Sequence, residues 1–183
     1  MKRTTVLALT FAALAAIPAH ANLVTLSFSP GPVYIGNTFT MTVSATDLGG
    51  DSFSAFGMNP FISDPTSALF LGAVVNPALN DDSAFFGGNP AIAGDAFPPI
   101  STVPIELATL TFQALKAGPV TIGVTSDLSD PNQGLFLLNS VQDLTASQGI
   151  NLVPEPTMLV PLVLLLGGVC FGFRRRRSGC QID

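Results

Sequence analysis

The segment between Asn22 and Val153 contains no cysteine, no histidine and no arginine. The single histidine of the chain, His20, precedes this segment, and the two cysteines, Cys170 and Cys180, follow it. These absences exclude Ser-His-Asp and Cys-His catalysis within the segment, and they exclude metal sites built on histidine or cysteine. Tryptophan is absent from the whole chain and tyrosine occurs once, so flat aromatic platforms for stacking sugar rings are scarce.

Carboxylates are the acid–base groups that remain. The segment holds ten acidic residues and one basic residue, Lys116. Glycoside hydrolysis needs two carboxyl groups in different environments, and no spacing in the sequence brings a partner to Glu106. We therefore expect no enzymatic activity and no cofactor, and a carboxylate-based glycosidase that uses Glu106 is the catalytic alternative. The acidic balance also excludes nucleic acid as a partner, because its binding depends on lysine and arginine.

The first 21 residues have the parts of a secretory signal peptide. Lys2 and Arg3 precede an apolar run, Val6–Ile17, which is followed by the small-x-small triplet Ala-His-Ala at 19–21. The apolar run is shorter than the roughly 20 residues that a spanning helix needs, which disfavours an uncleaved anchor. We expect export through the secretion translocon and cleavage by signal peptidase after Ala21.

Within residues 22–153, apolar and polar residues alternate with a period of two, which is typical of half-buried β-strands. The predicted strands carry the apolar positions Val24-Leu26-Phe28, Phe39-Met41-Val43-Ala45, Leu69–Val75, Ala108-Leu110-Phe112, Val120-Ile122-Val124, Gly134–Leu138 and Ile150–Val153. Turns rich in glycine and proline separate them, and no window of helical length has an amphipathic stripe. The pattern predicts an all-β fold, an antiparallel β-sandwich that forms one domain. Without disulfides, this domain depends on its core for stability.

Residues Asn76 to Pro104 fit the alternating pattern least well. Their proline density predicts a long, mostly irregular excursion across one end or face of the sandwich. Phe85 and Phe86 are the only adjacent aromatic pair in the predicted domain. Two interpretations of the pair are open: the rings cap the core, or they form an exposed contact surface for a ligand.

Two acidic turns are candidate calcium ligands because this ion prefers six to eight oxygen ligands. Asp127, Asp130 and Asn132 form one turn, and residues 80–82, Asn-Asp-Asp, form the other. Neither turn has the spacing of a D-x-[DN]-x-[DN]-G loop followed by a distal glutamate. We interpret both as water-facing turns and assign no metal ligand.

Three stretches together resemble the cohesin-like domains of bacterial proteins: VYIGNTFTMTVSATDL, FGMNPFISDPTSALFLGAVV and IELATLTFQALKAGPVTIGV. The family's DP-x-x-L element corresponds to Asp64-Pro65 leading to Leu69, and its LATLTF-x-A-x-x-x-G element corresponds to Leu107–Ala114 leading to Gly118. The resemblance covers most of Leu23 to Val153. It implies a nine-stranded jelly-roll sandwich, a fold that binds dockerin modules in cellulosomes. No dockerin partner follows for this chain, because it has neither repeated cohesins nor a scaffoldin architecture.

The C-terminal residues form three consecutive parts. The triplet Pro154, Glu155 and Pro156 comes first, and Thr157–Phe173 follows as a run of 17 uncharged residues. As a helix this run is about 26 Å long, marginally enough to cross a bilayer core of roughly 27–30 Å. The third part is a cluster of four arginines, which predicts a stop-transfer signal on the cytoplasmic side. Its members are Arg174, Arg175, Arg176 and Arg177.

The three parts at 154–177 follow one another in the order triplet, helix and arginine cluster. This arrangement resembles the PEP-CTERM sorting signal. That resemblance implies processing by an exosortase-type membrane protease, and it leaves residues 178–183 as a short cytoplasmic tail. A plain C-terminal anchor is the alternative. We interpret Cys170 and Cys180 as bystanders, with lipidation near the membrane as the alternative.

The sequence therefore predicts an exported, non-enzymatic protein of the cell envelope or extracellular matrix. We expect it to reside transiently in the inner membrane through its C-terminal helix and then to reach the cell surface or an exopolysaccharide matrix. Its cohesin-like domain would serve adhesion or matrix association, with an exopolysaccharide or another surface protein as partner. A carbohydrate- or protein-binding module with one specific ligand is the alternative.

Overall fold

The computed structural model describes residues 23–155. Several predicted features lie outside the described residues: the signal peptide at 1–21, Pro156, the apolar run Thr157–Phe173, the arginine cluster at 174–177 and the tail at 178–183. Within 23–155, no helix has the length and apolar character needed to cross a membrane.

The described chain is all-β, as the alternation predicts. Its twelve strands are β1 Val24–Phe28, β2 Val33–Tyr34, β3 Thr38–Ala45, β4 Phe53–Ile62, β5 Ala68–Val75, β6 Asn80–Asp81, β7 Ile92–Ile100, β8 Ile105–Ala114, β9 Gly118–Thr125, β10 Gly134–Leu137, β11 Val141–Gln142 and β12 Ala146–Val153. A four-residue 3₁₀ helix, Ser83–Phe86, lies between β6 and β7. Nine of the strands have four or more residues and three have two.

One layer of the sandwich is a four-stranded antiparallel sheet in the order β1-β3-β8-β5. In β3 the apolar residues Phe39, Met41, Val43 and Ala45 are all buried, while the threonines between them face outward. Across the outer face, Thr42 Oγ1 and Thr109 Oγ1 lie 3.3 Å apart and share a hydrogen bond. The period-two pattern thus places one face of this sheet on the core.

The second layer follows the order β11-β10-β4-β9-β12-β2, with β7 also paired to β4 and β6 paired to β7. Two successive strands pair with β4: β9 pairs with Asn59–Ile62, and, after the connection 126–133, β10 pairs with residues 53–57. On the N-terminal half of β4, β7 pairs as well. The long strand β4 therefore joins the two parts of this layer.

The core lies between the two layers and is rich in phenylalanine. Phe112 is fully buried. Its ring stacks on Phe39 at a centroid distance of 5.6 Å and meets Phe70 at 5.6 Å with a tilted geometry. Aromatic pairs at these distances contribute about 0.5–1.5 kcal/mol beyond the burial of their area. The rings thus link β3, β8 and β5 from the core side.

The prediction of a mostly irregular excursion from Asn76 to Pro104 is wrong for its second half. Residues Ile92–Ile100 form β7, which pairs with β4. The paired residues stop at Asp95 and resume at Ile100, so Pro98 and Pro99 lie in a stretch where no ladder hydrogen bond is required. Proline is compatible with a strand at such an irregularity.

Candidate functional site

A shallow depression lies on the outer face of the second layer, where β4, β7 and β10 are covered by two connections. Its volume is about 220 Å³, which is below the roughly 300–1,000 Å³ of typical small-molecule pockets. The residues that line it are Ala55, Phe56, Asp82, Phe86, Ala93, Gly94, Pro131, Asn132 and Phe136. Its floor is apolar, and Asp82 supplies the only charge of the lining. The depression can receive a side chain or a small apolar group of a larger partner.

The connection between β9 and β10 forms one wall because β4 carries a glycine beneath it. A Cβ atom built on Gly57 would lie 1.9 Å from the carbonyl oxygen of Asn132 and 3.0 Å from Cγ of Pro90. Real Cβ contacts are essentially never shorter than 3.0 Å. The absence of a side chain at this position therefore lets Asn132 lie directly against the strand.

A network of amide side chains holds the two connections together. The Gln133 side chain is 5% exposed, and its Nε2 donates to Asn89 Oδ1 at 2.9 Å and to Asp130 Oδ2 at 3.1 Å. Asn59 on β4 donates from Nδ2 to Asn89 Oδ1 at 3.0 Å, and its Oδ1 accepts from the backbone N–H of Ala91 at 2.8 Å. Because buried polar groups are costly when unpaired, this network fixes the walls of the depression.

Three carboxylates lie at the 3₁₀-helix side of the depression. Asp95 Oδ1 accepts a hydrogen bond from Asn80 Nδ2 at 2.6 Å, and Asp81 Oδ1 accepts one from the N–H of Ser83 at 3.0 Å. Partial burial raises the pKa of Asp82, and the neighbouring charges of Asp95 and Asp81 raise it further. This rim is negative and would attract a cationic group.

The predicted contact residues Phe85 and Phe86 have different environments. The side chain of Phe85 is 83% exposed, whereas that of Phe86 is half-buried and lines the depression. Phe97, two residues after Asp95 on β7, is 90% exposed. A fully exposed phenylalanine costs free energy in water unless it is covered by a partner. Phe85 precedes Phe86 and Phe97 follows Gly94 by three residues, and both Phe86 and Gly94 line the depression, so the two exposed rings are the candidate contact residues of this surface.

The two acidic turns contribute to the same depression. Asp82 comes from the first, and Asn132 from the second. The carboxylates of the second turn are engaged locally: Asp127 Oδ1 accepts from the N–H and the hydroxyl of Ser129 at 2.9 and 2.7 Å, and Asp130 belongs to the amide network. Among residues 23–155, no group of three or more histidine, cysteine, aspartate or glutamate side chains could hold a metal ion.

Glu106 lies apart from the depression, on β8 in the four-stranded sheet. Its Oε1 accepts a hydrogen bond from Thr109 Oγ1 at 3.0 Å, and its carbonyl oxygen accepts one from Asn76 Nδ2 at 2.8 Å. The structure therefore does not bring Glu106 to the acidic rim of Asp81, Asp82 and Asp95. The glycosidase alternative gains no support from this placement.

Sequence reasoning missed Phe97, Asp95 and Phe136. Residues 92–97 show no clear alternation of apolar and polar residues, and Pro98 and Pro99 follow directly, so the sequence does not indicate the strand. Phe136 lies in the predicted strand Gly134–Leu138, yet its half-buried outward position depends on the pairing of β10 with β4.

The described domain is similar in fold to cohesin modules. The cohesin module of a family 33 glycoside hydrolase from Clostridium perfringens superposes with a TM-score of 0.50 at 12% identity, covering 73% of this chain and 98% of the module. CaCohA2 from Clostridium acetobutylicum gives a TM-score of 0.45 at 20% identity, covering 73% and 94%. A type II cohesin domain from the cellulosome of Acetivibrio cellulolyticus gives 0.41 at 12% identity, covering 69% and 93%.

Neither a family model nor a curated protein matches the sequence. At 12% identity, the likeness to the Clostridium perfringens module establishes the fold alone. The expectation of a cohesin-like jelly-roll sandwich is confirmed at this level. The sorting signal and the partners of the domain are separate questions.

Proposed function

We propose that this chain is an exported, non-enzymatic surface or matrix protein whose cohesin-like domain mediates adhesion to another surface protein through the depression on the second layer. The observation that carries the proposal is the exposure of Phe85 and Phe97, 83% and 90%, which lie one residue before Phe86 and three residues after Gly94, two residues of the depression's lining. Apolar rings next to a negative rim match a protein partner with apolar and basic side chains. A matrix polysaccharide is the alternative partner.

The chemistry of the site favours binding over catalysis. The carboxylates of Asp81, Asp82 and Asp95 crowd one side of a depression of about 220 Å³, and the rest of the lining is mostly apolar. Inverting glycosidases hold two carboxyl groups roughly 6.5–9.5 Å apart across a sugar, and retaining ones about 5–5.5 Å apart. Among the described residues, Asp82 is the only carboxylate that lines the depression, so no pair of carboxyl groups faces across it, whereas one inserted side chain of a partner fits its volume.

Delivery to the surface would use both ends of the chain. The signal peptide at 1–21 would direct the protein to the secretion translocon and signal peptidase. The C-terminal signal would then hold it in the inner membrane until an exosortase-type protease cleaves near Pro154, Glu155 and Pro156. In support, the last described strand, β12, ends at Val153, directly before Pro154.

A rebinding assay tests the adhesion proposal. Labelled protein is added to cells of a strain that lacks its own copy, and the amount retained at saturation is measured. We expect saturable retention that falls at least tenfold when Phe85→Ser and Phe97→Ser are combined, because an interface anchor typically contributes 2 kcal/mol or more. Leu71→Ser, which removes a half-exposed apolar side chain from the opposite sheet, is the control. Equal retention of the double variant would refute the proposal, and saturable binding on a glycan array would favour a polysaccharide partner.

Mass spectrometry of the mature C-terminus tests the sorting proposal separately. In a host with the matching protease, protein from the surface or matrix fraction should lack residues 174–177. Alanine at Pro154, Glu155 and Pro156 should leave the anchor intact and cause full-length protein to accumulate in the inner membrane. Neutral residues at 174–177 should weaken membrane retention. Recovery of the intact arginine cluster from the matrix fraction would show that the sorting proposal is wrong.

A further inference from the structure

A second and larger cleft lies on the side of the sandwich, between the edges of the two layers. Its volume is about 450 Å³, within the range of functional ligand sites. One wall is the start of β1, residues 23–26, and the other is the start of β12 with the residues before it. The lining residues are Leu23, Val24, Thr25, Leu26, Asp143, Thr145, Ala146, Ser147 and Gln148. The adhesion surface proposed above is on a different face and shares none of these residues.

Among residues 23–155, no strand pairs with the outer edge of β1, which borders this cleft. Thr46 N–H donates to the carbonyl of Leu23 at 2.9 Å, and Ser29 N–H donates to the carbonyl of Thr40 at 3.0 Å. In an antiparallel pair, the residues that exchange hydrogen bonds alternate with those that do not. The odd-numbered residues of β1 therefore pair with β3, while Val24 and Leu26 direct their N–H and C=O groups to the open edge.

The edge of β12 is open along most of its length as well. The register between β12 and β9 is continuous from Ala146 to Leu152, whereas β2 pairs only with Leu152 and Val153. The carbonyl of Val153 accepts from Ile35 N–H on the side of β2. By the same alternation, Ser147 and Gly149 direct their backbone groups to that side, where the described residues place no pairing strand.

Two open strand edges that share one cleft form a template for an added strand. At the other end of the sandwich the gap is closed, because the chain passes from β1 in one layer to β2 beside β12 in the other. The opening is thus restricted to the end that contains Leu23 and Gln148. Val24 and Leu26 line it, and their side chains pack in or against the core.

Asp143 is the only charged residue of the lining. Its Oδ1 accepts hydrogen bonds from Ser126 Oγ and from the N–H of Thr145, both at 2.8 Å. Although burial acts to raise it, these hydrogen bonds lower the pKa of Asp143, so the carboxylate is ionised at neutral pH. The domain around it is strongly acidic, with Lys116 as the only basic residue between Asn22 and Val153. A cationic ligand is attracted by both the local and the total charge.

We propose that this cleft accepts an extended peptide segment of a partner protein, which adds a β-strand to the edge of β1 and places a lysine or arginine next to Asp143. The strand supplies hydrogen bonds to Val24 and Leu26 on one side and faces Ser147 and Gly149 on the other. Alternate apolar side chains of the segment point towards the core.

The test measures binding of a synthetic probe to the full chain purified in detergent micelles. The probe is an acetylated and amidated octapeptide of alternating valine and threonine with a lysine at each end, and its binding is followed by fluorescence anisotropy. One matched probe has glutamate at both ends, and another has proline at alternate positions. We expect saturable binding of the lysine probe, at least tenfold weaker binding of the glutamate probe, and no binding of the proline probe, which cannot donate the strand hydrogen bonds.

Hydrogen exchange locates the binding. The lysine probe should slow amide exchange in residues 23–28 and 146–151 and leave residues 80–97 unchanged. Asp143→Asn should weaken binding roughly three- to tenfold, and Asp81→Asn, on the far side of the second layer, is the matched charge control. Leu26→Pro should abolish binding; because the odd-numbered residues of β1 make its pairs with β3, those pairs should remain, and the loss of the Leu26 packing should lower the melting temperature without unfolding the domain.

Equal affinity for the lysine and proline probes would overturn the proposal, and so would protection at 80–97 in place of the cleft. If Leu26→Pro unfolds the domain, the exchange pattern of the unmodified chain decides the question alone.

Discussion

Truncation of Phe112, the central ring of the core, tests the described packing of the β-sandwich. In Phe112→Ala, a fully buried side chain is truncated. Its burial contributes about 1.5–3 kcal/mol. The two ring contacts at 5.6 Å, with Phe39 and Phe70, add about 0.5–1.5 kcal/mol each. These contributions sum to about 2.5–6 kcal/mol. Typical phenylalanine truncations in protein cores cost about 3–5 kcal/mol, and we expect a loss of this size in the free energy of unfolding.

The assay is urea unfolding of residues 22–155, followed by circular dichroism. With a slope of about 1–3 kcal/mol per molar urea for a domain of this size, the midpoint should fall by roughly 2 M. Phe112→Leu keeps part of the apolar volume and should lie between the wild type and the alanine variant. Phe97→Ala removes the same atoms from an exposed site and should change stability by at most about 0.5 kcal/mol. Equal effects of the two alanine variants, or a helical spectrum, would refute the described core.

Three further outcomes follow from the structure. Asp64 accepts hydrogen bonds from Ser67 and Thr66, which lower its pKa to about 2. The stability advantage of the wild type over Asp64→Asn should therefore be complete above the ordinary pKa of 3.8 and disappear as the pH falls towards 2, as measured by urea midpoints across that range. Gly57→Ala should cost about 1–3 kcal/mol, because its Cβ would overlap Asn132, whereas Gly149→Ala meets no atom within 4 Å and should have a much smaller effect in the same assay. Millimolar calcium should leave the melting temperature nearly unchanged, and a rise of many degrees that Asp127→Asn abolishes would show that a metal site exists.

The strands with regular alternation could be predicted from the sequence. In β3, and in β8 from Ala108 to Ala114, every second residue is apolar and buried, so local pattern and tertiary burial agree. The strand β4 was missed because a register shift between Phe53 and Ala55 breaks its period of two, which places Phe53 and Phe56 on the core side together. An irregularity of this kind depends on the partner strands, and no local pattern encodes it.

The candidate site was predictable only in part, for a related reason. Phe85 could be singled out because it lies in an adjacent aromatic pair. Its neighbours could not, since the depression forms only when β4 brings distant segments together. Asp82 and Asn132 are 50 residues apart in the chain, and they line one depression because β7 and β10 both pair with the same half of β4. Long-range strand pairing is the information that the sequence patterns lacked.

The strand β12 connects the proposed peptide-binding cleft with the proposed sorting signal. This strand begins at the open cleft, with Ala146, and ends at Val153, directly before Pro154. Eight residues at about 3.3 Å each separate the two by roughly 25 Å. If the proposed C-terminal signal holds the protein in the membrane, the end with Val153 lies nearer the bilayer than the end with the cleft. A partner strand could therefore reach the cleft before processing as well as after it, so exosortase cleavage would control where the domain is displayed and leave its capacity to bind unchanged.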